Sequence, residues 1–349
     1  MEKILSICVP TYNMEALLSR CLDSFIMNKE YMDQLEVIVV NDGSKDNSST
    51  IAHEYVKKYP NTYVVIDKNN GNYGSCVNAA LKIATGKYFR ICDADDCFYR
   101  DNLPGYLSIL NNSESDLIFT PYDIYSFDNI LQRGMQIYTV EDGQVFDICD
   151  IDAQYLNSNY YRAMHCIAIL TKILQKNRYY QTEGISYTDT EFVFYSILYA
   201  DTFAFYSRPI YKYYLGRDGQ TMSIESQIRS NMHFYENAKV MIDTYKTLPQ
   251  TLPESKRLLL FSCIKSCMSY FCNIILGYIK HPTKQLNLVR NLLTEANNCE
   301  LACPLDEALA SDLLFKLWRK YHIPARAIYS LMRFNVFLRK YNIRKSRNT

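Results

Sequence analysis

Three carboxylates within four consecutive residues, Asp93-Ala94-Asp95-Asp96, are the strongest chemical feature of the sequence. Like charges this close repel one another, and a divalent cation would relieve that repulsion. An all-oxygen site suits Mg²⁺ or Mn²⁺, and such an ion would in turn bridge a diphosphate. The alternative is a solvated turn in which an aspartate caps the next helix. We expect the metal site, because other polar clusters are predicted to share the same edge of a sheet.

A second polar cluster, the segment NDGS at residues 41–44, follows the apolar run at residues 35–40. These residues are strong turn formers, so Asp42 has a purely structural alternative. An acid at the end of such a strand also accepts hydrogen bonds from a nucleobase or ribose in many proteins. We expect Asp42, with Asn70 and Gly71 beside it, to bind a nucleotide. No G-x-G-x-x-G follows the first predicted strand, which argues against a dinucleotide cofactor.

A third acid, Asp189, stands in the segment YTDTE at residues 187–191. Thr188 with Glu191 three residues later has the pattern of a capping box, which predicts that Asp189 is the first residue of a helix. In that position a carboxylate complements the helix dipole. If it faces a cleft, it can instead serve as a general base. The residues alone leave both roles open.

Three further residues could contact phosphate or an acceptor. Arg217 lies in the predicted loop LGRDGQTMS, residues 215–223, where its guanidinium would match diphosphate oxygens. The alternative for Arg217 is a surface arginine in a turn. His165 and Asp96 are the candidates for contact with acceptor or phosphate, and a semi-buried histidine in the core is the alternative for His165.

The elements that must position these residues alternate regularly through the first hundred residues. Four strand and helix repeats predict a doubly wound, mainly parallel α/β sheet flanked by helices. Ligands bind beyond the carboxyl ends of the strands in such sheets. We therefore expect all the polar clusters at one rim. The predicted strands are 4–9, 35–40, 62–67 and 87–92, and the predicted helices are 17–26, 46–58 and 73–84, with Asp46 as an N-cap.

The second half of the chain has a looser pattern. Residues 117–125 and 202–214 resemble aromatic-rich strands, and Asp142-Gly143 resembles a hairpin turn. After about residue 225 the pattern is helical, with breaks at prolines. We predict two domains, residues 1–225 and a helical region at residues 226–349. The apolar stretch 258–279 is long enough to span a bilayer, but Lys265 and Asn273 interrupt it, so we favour a buried helix.

Five segments in order and spacing resemble the inverting glycosyltransferases of family 2, which have the GT-A fold. They are SICVPTYN, VIVVNDGSKDNS, NNGNYGSCVNAAL, ATGKYFRICDADD and YTDTEF. The likeness covers about residues 3–225. Met164-His165, the segment 187–191 and the LGRDGQ segment also resemble a bacterial subgroup that builds cell-surface and capsular polysaccharides.

The resemblance implies a role for individual residues. Pro10, Tyr12 and Asp42 would frame the uridine of a UDP-sugar. Asp93 would reach the ribose side of the nucleotide, and Asp95 would bind the metal ion. Asp189 would be the catalytic base. Thr188 stands where many members of the family have glutamate, which removes a neighbouring carboxylate.

The implied reaction is a single displacement with inversion at the anomeric carbon. A base takes the proton of an acceptor hydroxyl, a lipid-linked saccharide in many such enzymes, while Mn²⁺ or Mg²⁺ offsets charge on the departing UDP. One alternative is a nucleotidyltransferase, although its glycine- and lysine-rich phosphate loop is missing after the first strand. The other is a non-catalytic subunit that binds sugars or a partner.

The charge of the chain is divided unevenly. The formal net charge is +1, from 38 basic and 37 acidic residues, yet residues 313–349 hold ten basic residues and no acidic one. Aromatic and aliphatic residues alternate with these charges, which favours contact with an anionic membrane surface, and a core helix with a basic face is the alternative. We expect a cytoplasmic enzyme, attached peripherally to the inner face of the plasma membrane, without a nucleic-acid partner. The start of the chain lacks the pattern of a signal peptide, and the twelve cysteines, including the i,i+4 pairs Cys263/Cys267 and Cys299/Cys303, are expected to be reduced thiols.

Overall fold

The structure, a computed structural model, describes residues 2–134, 141–150, 163–217, 220–297 and 304–333. The chain separates into two compact units, Met1–Arg217 and Asp218–Thr349. The first unit contains all the strands of the described residues, and the second is helical. Each unit is considered by itself below.

The first unit contains two sheets and seven helices in its described residues. The strands are β1 Leu5–Thr11, β2 Leu35–Asn41, β3 Tyr63–Asp67, β4 Tyr88–Ile91, β5 Cys97–Phe98, β6 Leu117–Phe119, β7 Tyr122–Ser126, β8 Leu131–Gly134, β9 Phe146–Asp147, β10 Ile167–Leu170, β11 Thr202–Phe205 and β12 Tyr211–Leu215. The helices are α1 Leu18–Asp23, α2 Lys29–Met32, α3 Ser48–Lys58, α4 Asn72–Ile83, α5 Leu103–Asn112, α6 Thr171–Lys176 and α7 Asp189–Tyr199.

The larger sheet has the strand order β3-β2-β1-β4-β10-β6-β11-β9. β3, β2, β1 and β4 are parallel, and β10 pairs antiparallel to both β4 and β6. β2 is buried along its whole length and β1 at all but Pro10, as strands covered on both faces require. This sheet confirms the predicted α/β class and puts the carboxyl ends of the first four strands at one rim.

The smaller sheet, with the order β5-β12-β7-β8, departs from the predicted strands. The sequence pattern predicted one strand over residues 117–125 and one over 202–214, but each divides into two strands that enter different sheets. Pro121 and Pro209 lie at the two divisions, and proline cannot donate to a sheet ladder. The division brings β12 next to the segment Asp93-Ala94-Asp95-Asp96, the acidic tetrad. Asp142-Gly143 does form a turn, but the strands that flank it in the described residues, β8 and β9, belong to different sheets.

The second unit contains six helices that have defined bounds. They are α8 Ile224–Arg229, α9 Asn231–Lys246, α10 Glu254–Tyr278, α11 Thr283–Asn297, α12 Leu305–Leu309 and α13 Leu313–Arg319, and residues 325–333 are also helical. Pro282, Pro304 and Pro324 each directly precede a helical residue, a position that tolerates the missing N–H.

Within the described residues, α10 alone is long and apolar enough to cross a membrane. Its most apolar window has a mean hydropathy of 1.6, and 61% of that window is buried inside the structure. Cys263 and Cys267 lie among these buried residues. The burial supports a core helix. The second cysteine pair, Cys299 and Cys303, lies outside the described residues.

The start of the basic tail belongs to the core of the second unit. Leu314, Phe315 and Trp318 of α13 are buried, and so is Ile328. For these four side chains the core alternative is correct, because buried side chains do not contact a membrane. The remainder of the tail, residues 334–349, lies outside the described residues.

Candidate active site

Asp42 is held at the end of β2 by the protein itself. Its carboxylate is 3% exposed and accepts hydrogen bonds from Lys68 Nζ at 2.6 Å and from the backbone N–H groups of Gly71 and Asn72, both at 2.9 Å. A carboxylate has about four acceptor positions. The Asp42 carboxylate therefore anchors the start of α4, and the predicted contact with a nucleotide would use the same carboxylate.

Asn70 and Gly71 lie beside Asp42 as predicted. The Asn70 side-chain amide donates to the Asp42 carbonyl at 2.9 Å. A Cβ on Gly71 would meet Ser75 Oγ at 2.7 Å, so a larger residue does not fit at this turn without moving Ser75. The two residues close the rim where β2 and β3 end.

Pro10 and Tyr12 lie at the end of β1 on the same rim. Pro10 is half-buried, whereas the Tyr12 ring is 47% exposed. Asn13 ties this loop to the next one, because its N–H donates to Ser44 Oγ at 3.0 Å and its Oδ1 accepts from the Lys45 N–H at 2.8 Å. The residue that follows Tyr12 is thus tied to the NDGS turn.

Asp93 is an acid of the tetrad whose pKa is raised. Burial raises its pKa to about 7, and the charges of Asp95 and, more weakly, Asp189 act in the same direction. The Tyr73 hydroxyl donates to its carboxylate at 2.8 Å and opposes part of this rise. Asp93 is therefore close to half ionised at neutral pH before any cation binds.

Asp95 and Arg217 form an ion pair. Arg217 Nη2 lies 3.0 Å from Asp95 Oδ2, and Nε lies 3.3 Å from the same oxygen. The backbone carbonyl of Asp95 accepts a hydrogen bond from the Arg20 guanidinium. The structure thus brings together two residues that the sequence separates by more than one hundred positions, both predicted to bind the nucleotide sugar.

Asp96 has a structural role that the sequence pattern did not predict. Its carboxylate is 1% exposed and accepts from the Tyr211 hydroxyl at 2.6 Å and from the Tyr214 N–H at 2.7 Å. Burial raises its pKa, with the charges of Asp95 and Asp93 adding to the effect. The burial argues against the predicted contact of Asp96 with an acceptor, and the two bonds fasten β12 to the tetrad.

His165 lies 9% exposed between aromatic rings. Its ring stacks on Tyr211 at a centroid distance of 4.6 Å, and Tyr213 lies 4.4 Å away. Burial and the nearby Arg90 charge lower the pKa of His165 to about 3, so the imidazole is neutral. Among the described residues, its Nδ1 atom is buried without a hydrogen-bond partner.

The donor set at this point fits a divalent cation. Ligand atoms of Asp93, Asp96 and His165 all lie within 4.8 Å of one another, which is compatible with shared coordination after small movements. The unpartnered Nδ1 of His165 is consistent with such a ligand. Asp95 is outside this group, so the binding of the ion by Asp95 stays a prediction.

Asp189 is the first residue of α7, as predicted. Burial raises the pKa of its carboxyl, and backbone N–H groups at the start of the helix offset part of the rise. Its charge affects the acidity of Asp93, Tyr73 and Tyr213, which places it in the same electrostatic environment as the tetrad. A carboxylate with a raised pKa is a stronger base, which suits proton abstraction.

The predicted capping box before Asp189 does not form. The Thr188 side chain makes no cap bond and instead accepts from Gln181 Nε2 at 2.8 Å. Glu191 accepts from the N–H of Thr182 at 3.2 Å and from its hydroxyl at 3.0 Å. Both side chains therefore bind the segment that leads into the helix. The predicted N-cap Asp46 is also displaced, since α3 begins at Ser48 and Asn47 holds the cap position.

Residues 6–193, more than half of the chain, match the family model for glycosyl transferase family 2. The chain belongs to this family. Membership confirms the resemblance drawn from the five segments and removes the nucleotidyltransferase alternative.

Sequence relatives of the glycosyltransferase include enzymes of teichoic acid synthesis. The poly(ribitol-phosphate) beta-glucosyltransferase of Bacillus spizizenii is 38% identical over 115 residues, 32% of this chain and 18% of that protein. The minor teichoic acid biosynthesis protein GgaB of Bacillus subtilis is 34% identical over 118 residues, 33% of this chain and 13% of that protein. The uncharacterized glycosyltransferase MG025 of Mycoplasma genitalium is 37% identical over 101 residues, 28% of this chain and 34% of that protein. The matches thus span about a third or less of each relative.

Solved structures share the architecture along nearly the whole chain. S. aureus TarS 1-349, crystallised with UDP-GlcNAc, has a TM-score of 0.71 at 20% identity and covers 95% of this chain and 92% of that chain. The mannosyltransferase PcManGT of Pyrobaculum calidifontis, in complex with GDP-Man and Mn²⁺, has a TM-score of 0.52 at 16% identity and covers 96% and 86%. At these identities the likeness shows the fold, and the fold is GT-A as predicted.

Several residues of the site were not singled out from the sequence. Tyr73 binds Asp93, and Gln181 holds Thr188. Gly74 also belongs to this group, because a Cβ there would lie 2.0 Å from the Thr182 carbonyl oxygen. The sequence feature that could have indicated this contact is the second glycine of the segment GNYG. The glycine packs against the backbone at Thr182, which is distant in the sequence, so no local pattern identifies the contact.

Proposed function

We propose that this enzyme is an inverting glycosyltransferase that moves a sugar from a UDP-sugar to a hydroxyl group of a saccharide acceptor. The observation that supports this most directly is the association of Asp189 with the tetrad. A half-buried carboxylate at a helix start shares one electrostatic environment with the acids that follow β4. The acceptor is proposed to bind at Asp189, and the diphosphate of the donor is proposed to bind at the tetrad.

The donor is proposed to be a UDP-hexose or UDP-N-acetylhexosamine. TarS was crystallised with UDP and with UDP-GlcNAc, and the Bacillus spizizenii relative is named as a glucosyltransferase. Pro10, Tyr12, Asn70 and Gly71 are proposed to surround the nucleotide at the rim. Asp42, which keeps one acceptor position, would receive a hydrogen bond from the base.

The acceptor is proposed to be a precursor of a bacterial surface polymer, carried on a lipid. Two relatives are named for teichoic acid or poly(ribitol phosphate) chemistry. Residues 334–349, which carry five basic residues and no acidic one, would hold the enzyme on the anionic cytoplasmic leaflet where such precursors lie.

In the proposed reaction Asp189 removes the proton of the acceptor hydroxyl while that oxygen attacks the anomeric carbon. The bond between this carbon and the diphosphate oxygen breaks, UDP leaves with the electron pair, and the configuration inverts. Arg217 is proposed to leave Asp95 and donate to the diphosphate, since a guanidinium matches two phosphate oxygens. Asp93 would contact the ribose.

A divalent cation, when bound, would supply positive charge against the leaving diphosphate. Asp93, Asp96 and His165 would hold it, with Asp95 as the ligand predicted from the sequence. The neutral imidazole of His165 is in the form that binds metals.

Calorimetric titration tests the donor and metal parts of the proposal. UDP is titrated with and without Mn²⁺ into the wild type, Asp95→Ala and the exposed control Asp101→Ala. We expect binding that depends on Mn²⁺ in the wild type and the control, and weak binding in Asp95→Ala under both conditions. Equal affinities in all six titrations contradict the proposed metal site. Release of UDP from UDP-Glc, UDP-Gal, UDP-GlcNAc and UDP-GalNAc, with poly(ribitol phosphate) and a lipid-linked saccharide as acceptors, then identifies the donor.

A further inference from the structure

Tyr213 lies in β12, on the strand that Asp96 fastens to the tetrad. The N–H of the next residue, Tyr214, donates to Asp96 at 2.7 Å. The Tyr213 ring lies 4.4 Å from the His165 ring and 6.4 Å from the Tyr122 ring. A ring nitrogen of His165 is in turn within 4.8 Å of carboxylate oxygens of the acids. Aromatic packing therefore fixes the half-buried Tyr213 ring beside the acidic site.

The hydroxyl of Tyr213 differs from the other tyrosine hydroxyls around the acids. Tyr73 donates to Asp93 at 2.8 Å, and Tyr211 donates to Asp96 at 2.6 Å. Within the part of the chain that the structure describes, the Tyr213 hydroxyl makes no hydrogen bond. It is also outside the set of buried side-chain polar atoms without partners, so it keeps access to solvent. Tyr213 thus keeps an unused donor beside the acidic site.

The electrostatic environment of this hydroxyl includes acids with two different proposed roles. Burial raises the pKa of Tyr213, and the charges of four carboxylates add to the rise, namely those of Asp96, Asp93, Asp189 and Asp95 in decreasing order. A tyrosine phenol is protonated at neutral pH and can donate a hydrogen bond. Asp93 and Asp95 belong to the diphosphate side of the proposed reaction, and Asp189 belongs to the acceptor side.

We infer that the Tyr213 hydroxyl donates a hydrogen bond to the sugar that is transferred. The inference rests on the proposed function, because only the sugar lies between the diphosphate and the acceptor hydroxyl. The Tyr213 hydroxyl is near both sides and has no hydrogen-bond partner among the described residues, so it can donate to an oxygen of that sugar. Tyr213 then orients the anomeric carbon toward Asp189 and contributes to the choice of donor sugar.

The inference is tested with Tyr213→Phe, which keeps the ring and its packing on His165. Affinities are measured by calorimetry in Mn²⁺ for UDP and for the UDP-sugar that the wild type prefers. We expect the affinity for UDP to stay within about twofold and the affinity for the UDP-sugar to fall about tenfold, the size of one hydrogen bond. Tyr125→Phe is the matched control, since its hydroxyl lies 2.8 Å from the Tyr99 hydroxyl, and it should change neither affinity.

Three results would overturn the inference. Unchanged affinity for the UDP-sugar would show that the hydroxyl does not touch the sugar. An equal loss for UDP and UDP-sugar would place the contact on the nucleotide. Failure of the wild type to bind UDP or any UDP-sugar would refute the proposed function itself, and the inference with it. Near-UV circular dichroism of Tyr213→Phe that matches the wild type shows that the core around His165 is intact.

Discussion

At the scale of single residues, the acids of the site differ in the protein groups that bind their carboxylates. Asp42 has three protein donors, Asp95 has the Arg217 guanidinium, and Asp93 has a single phenol. Burial and the charge of Asp95 raise the pKa of Asp93 to about 7. The sequence places these residues correctly at the strand ends. It cannot distinguish them, because the neighbours that differ come from other parts of the chain.

Removal of Arg217 should weaken the hold on the diphosphate. We expect Arg217→Ala to bind UDP about tenfold more weakly, since a hydrogen bond to a charged group contributes about 1.5–3 kcal/mol. Affinity for uridine, which has no phosphate, should be unchanged. Calorimetry with both ligands measures the difference, and the exposed Arg208→Ala serves as the control. An equal loss for uridine would contradict the phosphate contact.

The acidity of Asp93 should appear in the pH dependence of stability. Its pKa is about 7 in the folded chain against a reference value of 3.8, so between these values the folded state holds a proton that the unfolded state has lost. Stability therefore falls as pH rises from about 4 to about 7. Asp93→Asn removes this loss, so in EDTA its melting temperature relative to the wild type should be higher at pH 8 than at pH 5. A difference that does not change with pH would argue against the raised pKa.

At the scale of elements, α4 and the segment before α7 together position Asp189, the proposed catalytic base. Asn78 of α4 donates to the Gln181 carbonyl at 2.9 Å and accepts from the Gln181 N–H at 2.8 Å. The start of α7 at Asp189 was predictable from helix chemistry. The capping box failed because Gln181 and Thr182, which lie outside the local pattern, compete for Thr188 and Glu191. The smaller sheet was not predicted, because β7 follows β6 closely in the sequence and β12 follows β11. Each pair therefore has the pattern of a single strand.

Gly74 should be essential to this arrangement. A Cβ at this position would lie 2.0 Å from the Thr182 carbonyl oxygen, and backbone cannot turn aside as a side chain can. We expect Gly74→Ala to lower the free energy of unfolding by about 1–3 kcal/mol and to reduce transfer further by moving Asp189. Urea unfolding and UDP release measure the two effects.

The control for this prediction is Gly134→Ala in β8. Among the described residues, its Cβ would meet only Asp123 Oδ1, at 3.4 Å, which is an ordinary contact distance. This variant should keep both stability and activity near the wild-type values. If Gly74→Ala were equally well tolerated, the close approach of α4 to residue 182 would not matter for the site.

At the scale of the whole molecule, the near-neutral net charge is the sum of an acidic body and a basic end. The first half of that basic end is part of a folded unit, since Leu314, Phe315 and Trp318 are buried. Composition alone could not separate a core helix from an interfacial one, because both combine apolar and basic residues. The proposed membrane contact is therefore assigned to residues 334–349.

Removal of this segment should abolish membrane attachment without loss of the active site. We expect a chain that ends at Arg333 to stay in the supernatant with vesicles of anionic phospholipid, while the full chain sediments with them. UDP affinity should be equal for the two proteins. Neutral phosphatidylcholine vesicles are the control, and neither protein should sediment with them. Sedimentation of the shortened chain to the same extent as the full chain would refute the proposal.

The most direct test of the whole account is transfer by Asp189→Asn. Asparagine keeps the size of the side chain but cannot take the proton of the acceptor hydroxyl. We predict that the rate of UDP release with the preferred donor and acceptor falls about 10²–10⁴-fold, the usual contribution of a general base, while UDP affinity stays within about twofold. Glu183→Gln, an exposed acid of the segment before α7, should keep full activity. Undiminished transfer by Asp189→Asn would contradict catalysis by Asp189 and the mechanism built on it.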